Sequence, residues 1–452
     1  MSRDMSVVCY SNKLILAPMV RIGTLPMRLL ALRYGADLVY CEEIIDHKIL
    51  TCKRITNPVL DTIDYVDPSG RCVFRTTAVE KDRLVFQMGT SDAERAAKVA
   101  QFVKDDVAAV DVNMGCPKEF SLKGGMGAAL LTQSDKIKQI LTRLVEESTI
   151  PVTCKIRILP ELQDTLDLVK LIASTGVKAI AVHGRTRLER SSQPVHYDVI
   201  KEVVKMIKIP VIANGGSLNI NTYDDLTAFK SATGCQSVMI ARAAQWNPSI
   251  FRKEGLLPVD QVARDYLQLA VDYDNYASNT KYCLAQLLHD QLETELGQSL
   301  MKARTMRELC DVWNMGSYLS EVEEKRKQAI SSLSLQQQKE LGLIQFDGHA
   351  PAAKRVRLDP DITEDGTHEF HIQYNNKEYK NRSGETPKSI LHEWTKKRTG
   401  SIKYETREKA KLFKSIVTIE DKRYSSSFWS KSKKFAEQAA AEVAIMCLDI
   451  PR

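Results

Sequence analysis

Eight apolar, β-rich runs recur through the first half of the chain. They are KLILAPM at 13–19, ADLVYCEE at 36–43, RLVFQMG at 83–89, AAVDVNMG at 108–115, PVTCKIRI at 151–158, KAIAVHGR at 178–185, PVIANGG at 210–216 and SVMIARA at 237–243. Stretches with helical spacing of apolar residues lie between most of them, at 91–104, 134–147, 162–175, 197–207 and 222–232. Strands alternating with helices form parallel βαβ units, and eight of them in about 230 residues predict an α/β fold, a (β/α)8 TIM barrel, over 10–247. The second connection, 44–82, is long enough to hold an extra hairpin around Val73–Thr76.

Beyond Asn247–Pro248 the pattern turns purely helical. Tyr266, Leu269, Tyr273, Cys283, Leu287 and Leu288 share apolar faces, so a helical domain is expected over 248–338. Gln, Asp, Gly and Pro then take over, the mark of a flexible linker at 339–369. The last segment, 370–450, reads as helix, three strands and helix. Thr386 and Pro387 open the first helix, strands are expected at 402–406, 413–420 and 424–429, and an Ala-rich helix closes the chain at 431–448.

A barrel places its active site at the C-terminal ends of its strands. Those ends carry Pro18 and Met19, Glu43, Gln87, Asn113 with Cys116, Lys155, His183, Asn214 with Gly215 and Gly216, and Ala241 with Arg242. Each has a structural alternative: Cys116 as a packed thiol, Lys155 as a solvated strand end, His183 as a satisfied core histidine. Their recurrence at almost every strand is the signal. NGG at 214–216 offers backbone N–H groups that no side chain shields, and Arg242 adds a positive fork. The loops after strands seven and eight are the usual phosphate site of this fold, though NGG is also what a tight turn with positive φ requires.

Charge sharpens one region. The formal net charge is +7, yet between 377 and 434 seventeen Lys and Arg stand against seven Asp and Glu. The remainder is slightly acidic, and the basic segment suits a polyanion. The N-terminus lacks an apolar signal core, no run is long enough to span a bilayer, and the ten cysteines form no CxxC or His/Cys cluster. A soluble cytoplasmic protein with reduced thiols, no metal site and no membrane contact is expected.

The segments LAPMV, FQMGTSD, DVNMGCPK, KGGMGAALL, TCKIRI, AVHGR, VIANGG and MIARAA occur in an order that resembles the tRNA-dihydrouridine synthases. The overall arrangement is similar to members that end in an RNA-binding domain and modify uridine 20. The resemblance implies FMN as bound cofactor, its phosphate at Asn214, Gly215, Gly216, Ala241 and Arg242. Pro18, Met19 and Val20 would lie against the flavin ring, and Gln87, Lys155, His183 and Glu43 would surround its polar edge. A nicotinamide dinucleotide, NADPH, would reduce the flavin, which reduces the uracil C5=C6 bond, with Cys116 as the acid for C5 and Asn113 orienting the base. An unperturbed thiol is mostly protonated at neutral pH and suits an acid. No GxGxxG follows a strand, so the nicotinamide must share the flavin cleft transiently.

The αβββα ending, with SKK opening its last helix, resembles a double-stranded-RNA-binding domain. Lys431, Lys433 and Lys434, with Lys377 and Lys388, are the expected RNA contacts there, and tRNA is the expected partner. Its second contact loop departs from the usual GPxH and reads 407–411 here. In the helical domain Lys281, Lys302 and Arg304 are candidate phosphate contacts. PAAKRVRLDP at 351–360 resembles a monopartite nuclear import signal, so nuclear entry through the basic run at 354–357 is a further expectation. Two competing readings stay open: a flavoenzyme of free pyrimidines, and a colourless RNA-binding adaptor.

Overall fold

In the computed structural model, strand β1 (Leu14–Leu16) pairs with β2 (Leu38–Tyr40) on one side and with β8 (Ser237–Ile240) on the other. Between them run β3 (Leu84–Gly89), β4 (Ala109–Met114), β5 (Val152–Arg157), β6 (Ala179–His183) and β7 (Val211–Asn214), each parallel to its neighbours. Val39 and Tyr40 of β2 pair with Leu84 and Val85 of β3, which closes the ring. All eight strands expected from the apolar runs are present. The structure describes residues 8–334, 337, 338, 341, 361–363, 365–370, 372, 374, 386–396, 398, 401–409, 411–448 and 450. Lys377 and the basic run at 354–357 lie outside them.

Period-two alternation decides what each strand presents. In β4, Val110 and Val112 join the core beneath the helices, while Asp111 and Asn113 take the other parity and point inward. Ile15, Leu38, Tyr40, Val85, Ala109, Ala181, Ile212 and Met239 fill the lower interior. Above them Asp111 accepts hydrogen bonds from Gln87 Nε2 at 2.8 Å and Thr153 Oγ1 at 2.7 Å. The barrel is therefore dry below and polar toward its mouth.

The helices begin where local chemistry allows. Asp92 accepts from Arg95 N at the start of Ala93–Val103, and Thr222 with Asp225 forms a capping box on Tyr223–Thr233. Such caps contribute about 1 kcal/mol each. The long second connection holds a three-stranded sheet (Lys53–Asn57, Thr62–Val66, Cys72–Thr76), of which the expected hairpin is one edge. Ile44–Ile45 also pairs with the end of β3.

Contacts divide the chain into two units, Met1–Tyr65 with Val73–Ser332, and Val66–Cys72 with Leu333–Arg452. The barrel and the helices Val259–Asp272, Ala277–Leu287, Glu295–Lys302, Met306–Val312 and Gly316–Ser331 thus fall in one unit. Tyr266, Leu269, Cys283, Leu287 and Leu288 are buried, as their spacing predicts.

In the second unit β9 (Asp361–Ile362), β10 (Thr367–Phe370), β11 (Ile402–Lys409), β12 (Leu412–Ile419) and β13 (Lys422–Ser426) form one sheet, in the order β9-β10-β13-β12-β11. Helices Pro387–Lys396 and Lys433–Cys447 pack on it through Leu391, Val417, Ile419, Tyr424, Ala440, Val443, Ala444 and Ile445. The expected αβββα core is present. Two boundaries differ. Residues 367–369, expected in the linker, form with Phe370 a strand parallel to β13. THEF has no apolar run of its own, and its pairing depends on the edge that β13 offers. Arg407, Glu408 and Lys409, expected in a loop, continue β11 opposite Lys414, Phe413 and Leu412. Among the described residues no helix is long and apolar enough to cross a membrane, and no cluster of three His, Cys, Asp or Glu side chains could hold a metal.

Candidate active site at the mouth of the barrel

The chain leaves β4 through a loop built around Cys116. Asn113 Oδ1 accepts from the N–H groups of Gly115 at 2.9 Å and Cys116 at 3.1 Å. The loop then folds back, so that Ala128 N donates to Cys116 O at 2.9 Å. Gly127, at φ +57°, makes that return possible, because a Cβ there would lie 2.7 Å from the Cys116 carbonyl oxygen. KGGMG is thus the turn that holds a thiol at the barrel mouth.

Burial, together with the carboxyl of Glu43, pushes the Cys116 thiol above the ordinary thiol value, outweighing help from Lys118 N–H and Ser121. Glu43 is itself raised by burial, opposed by hydrogen bonds from Asn113 and Cys116, and its Oε1 is buried with no described partner. The thiol therefore stays protonated at neutral pH.

Beside this loop the strands gather cations. Register sets Lys155 beside Asn113 on β4 and Ala181 on β6, and Arg157 beside His183. Burial, then Arg157, lowers Lys155 to about 8 despite the opposing pull of Asp111 and Cys116. Asp111 is raised to about 6 by burial, against the hydrogen bonds of Gln87 and Thr153 and the charge of Lys155. His183 is held well below the ordinary imidazole range by burial and by Lys155, Arg157, Arg185 and Arg242, so its ring is neutral; Nδ1 is buried without a partner. Neither Lys155 nor Arg242 has a hydrogen bond or ion pair from its cationic group to a described residue. Desolvated cations without counter-charge are costly, and this arrangement suits an anionic ligand.

The turn after β7 completes the mouth. Gly215 has φ +117°, and a Cβ on Gly216 would sit 2.9 Å from the Phe229 ring, so both positions require glycine. Ala241 precedes the short helix Arg242–Trp246. At β1, Met19 O accepts from the N–H groups of Ile22 and Gly23, which turns the loop, and leaves Val20 58% exposed at the opening.

The structure thus brings together Glu43, Gln87, Asn113, Cys116, Lys155, His183, Gly215 and Arg242 of the expected set. It employs some differently. Asn113 spends its carbonyl oxygen on the Cys116 loop and one amide N–H on Glu43, leaving a single amide N–H for a base. Asn214 Nδ2 donates to Met239 O at 2.7 Å and locks β7 to β8, which commits one of its two amide N–H groups. Gln87 Nε2 is engaged by Asp111, which leaves its oxygen. Lys281 Nζ donates to Met301 O at 2.6 Å and Ala303 O at 2.8 Å, capping Glu295–Lys302 instead of reaching for phosphate. Lys388 pairs with Glu437 and lies 4.5 Å over the Tyr404 ring, so it joins the two helices of its unit. Lys302 and Arg304 are exposed, as are Lys431, Lys433 and Lys434 around the Ser432 cap of the last helix.

Four contributors escaped the sequence reading: Asp111, Thr153, Arg157 and Arg185. Arg157 Nε donates to Gly115 O at 2.9 Å and Nη1 to Thr186 O at 3.0 Å. Arg185 donates to Gln193 O and Gly215 O. Parity alone would have found three of them, since Asp111 shares a face with Asn113, and Thr153 and Arg157 share one with Lys155.

A sequence profile described as Dihydrouridine synthase (Dus) matches residues 15–340. The chain belongs to the dihydrouridine synthase family. Later in the sequence, a profile described as Double-stranded RNA binding motif matches residues 387–446, and the αβββα unit is such a domain. The chain is 43% identical over 316 residues to the tRNA-dihydrouridine(20) synthase (NAD(P)+) of Schizosaccharomyces pombe, covering 68% of this chain and 65% of that relative. It thus spans just under two thirds of that relative's length. It is 38% identical over 301 residues to the protein of the same name from Saccharomyces cerevisiae, covering 62% of this chain and 78% of the other. A crystal structure of a tRNA-dihydrouridine(20) synthase dsRBD domain is 35% identical, covering 20% of this chain and 96% of that one, with a TM-score of 0.18.

Proposed function

We propose that this synthase-family chain reduces the uracil C5=C6 bond of uridine 20 in the D-loop of tRNA, giving dihydrouridine. One observation carries the reading: a protonated thiol, Cys116, is held by a purpose-built turn at a barrel mouth lined with unpaired cations. The two yeast relatives, whose names specify position 20 and NAD(P)+, support the substrate and the reductant.

The residues at the mouth fit FMN. Arg242 and the N–H groups at Gly215 and Gly216 are available to its phosphate, and Lys155 and the orphaned His183 Nδ1 to the polar edge of its ring. When bound, FMN supplies the hydride for uracil C6, taken in turn from NADPH. Gln87 keeps its oxygen free for the ring, and Pro18, Met19 and Val20 form the apolar side of the opening. Lys155, half-buried at the mouth, stabilises negative charge more strongly there than at a fully exposed surface. Cys116 gives its proton to C5 and is left as thiolate. A nucleophilic cysteine needs the opposite environment, one that lowers the thiol. Asn113 holds the loop and Glu43, and its remaining amide N–H serves the base edge. Lys431, Lys433 and Lys434 bind phosphates of the tRNA.

Cys116→Ala tests the reading. Bound flavin is expected to remain while dihydrouridine formation falls by about 10²- to 10⁴-fold, the usual contribution of a general acid. A fully active variant, or a colourless wild-type protein that leaves uridine 20 unmodified, would overturn it. Turnover of free uracil at a rate matching tRNA would point instead to a free-pyrimidine enzyme. We also place the chain in the cytoplasm, with nuclear entry through residues 354–357; a fluorescent fusion indifferent to Lys354, Arg355 and Arg357 would remove the nuclear part.

A further inference from the structure

Two loops at the barrel mouth carry large apolar side chains into solvent. Phe120, in the short helix Glu119–Lys123 after β4, is 55% exposed, and Leu188, in the loop after β6, is 81% exposed. The strand between them is β5, and Arg157 at its end fastens both loops by donating to Gly115 O and Thr186 O. Each loop is also braced from within. Ala128 N donates to Cys116 O in the first; in the second, Glu189 accepts from Thr186 N and meets His196 Nε2 at 2.7 Å. The apolar tips are therefore displayed by ordered loops that no packing requirement explains.

Charge beside the tips distinguishes the partner. Lys118, Arg187 and Arg190 are exposed, and none has an ion pair to a described residue. By contrast Lys123, on the same short helix as Phe120, is matched by Glu119 at 2.7 Å. Apolar tips among unmatched cations suit a strand of nucleic acid, in which phosphates and unstacked base faces alternate. The location adds a physical demand. A uracil buried in a helix or stacked loop cannot reach a thiol inside a barrel without leaving its stack, at a cost in stacking and pairing energy. Apolar side chains inserted beside the vacated position offset that cost.

We propose that Phe120 and Leu188 act as wedges against the bases flanking the extruded uridine, with Lys118, Arg187 and Arg190 holding the phosphates on either side. The proposal rests on the function above: it deepens how RNA enters that site. Arg157, by tying the two loops, keeps the wedges at a fixed spacing around the Cys116 opening.

The full-length flavoprotein is the material for the test, with tRNA carrying 2-aminopurine next to uridine 20. Wild type is expected to raise the fluorescence on binding, as the neighbour loses its stacking partner. Phe120→Ala with Leu188→Ala should abolish most of that rise and lower kcat/KM for tRNA at least tenfold. Lys118→Gln with Arg187→Gln and Arg190→Gln should instead weaken tRNA affinity, flatten its salt dependence and keep the fluorescence rise at saturation. Flavin content and NADPH oxidation, followed on the same preparations, separate loss of fold from loss of RNA handling. Wedge variants within twofold of wild type in both fluorescence and kcat/KM would overturn the proposal. A wild-type protein that extrudes the base but forms no dihydrouridine would overturn the proposed function and leave the wedge standing.

Discussion

The barrel mouth and the C-terminal unit are both basic, and they hold their charge in opposite ways. At the mouth Lys155, Arg157, Arg185 and Arg242 crowd around a neutral His183, inside protein, with Lys155 lowered to about 8. In the C-terminal unit Lys431, Lys433 and Lys434 stand in solvent, while Lys388, which lies deeper, is neutralised by Glu437. A buried unmatched cation weakens the fold and strengthens the hold on one well-placed anion. An exposed lysine costs the fold nothing and binds any phosphate weakly, additively and in a salt-dependent manner. The first arrangement suits one tightly held anion, the second many weak phosphate contacts.

That contrast can be broken at the mouth most sharply. Lys155→Met should weaken FMN binding by about a hundredfold or more, the loss expected when a desolvated charge pair is removed. The same change should stabilise the flavin-free protein by about 1–3 kcal/mol, since a shift from 10.5 to about 8 corresponds to at most about 3 kcal/mol. Equilibrium unfolding with and without flavin reads both effects; a variant that loses stability in both states would mean Lys155 is structural.

The pH dependence of the flavin-free protein sharpens the same point. Between pH 8 and 10.5 the unfolded chain holds the Lys155 proton and the folded chain has released it, so stability from this group rises with pH. Asp111 acts in the other direction lower down: its folded carboxyl keeps a proton up to about 6, so stability from this group falls as pH climbs from 3.8 to about 6. Each slope approaches about 1.4 kcal/mol per pH unit inside its window. In Lys155→Met the alkaline rise should vanish and the acid fall should persist. Cys116 alkylation should be slow at neutral pH and accelerate only above the ordinary thiol value, and dihydrouridine formation should decline as that acid is lost.

Effects in the C-terminal unit are expected to be smaller. Replacing Lys431, Lys433 and Lys434 with Gln should weaken tRNA binding about 10- to 100-fold at 0.1 M salt and reduce the log–log salt slope by two to three. Rates at saturating tRNA should hardly change. Lys388→Met should leave tRNA affinity within about twofold and cost the unit about 1 kcal/mol, read by thermal unfolding of the full chain. If Lys388 proved as important for RNA as Lys431, the division between matched and exposed charge would fail.

Legibility followed the same line. Barrel strands announced themselves because a strand buried on both faces needs a dense apolar run, and the strand ends followed from topology. Cys116, Lys155, His183 and Arg242 were legible as strand-end residues, and the structure places them at the barrel mouth. THEF at 367–370 was invisible because a short edge strand is specified by its neighbour β13 and not by its own pattern. The partners of Lys281 and Lys388 were invisible because a lysine in sequence carries no record of the carbonyl or carboxylate it will meet.

By itself, the order of apolar and polar residues determined an eightfold strand–helix alternation, a helical region and an αβββα ending, since periodicity and turn chemistry are local properties. Only the tertiary structure decided which charges are matched. Desolvation and pairing depend on distances between strands far apart in sequence: Arg157 on the carbonyls of Gly115 and Thr186, Glu43 beside Cys116, four cations around His183. Those distances hold the Cys116 thiol above its ordinary value and tie Lys388 between the two helices of its unit.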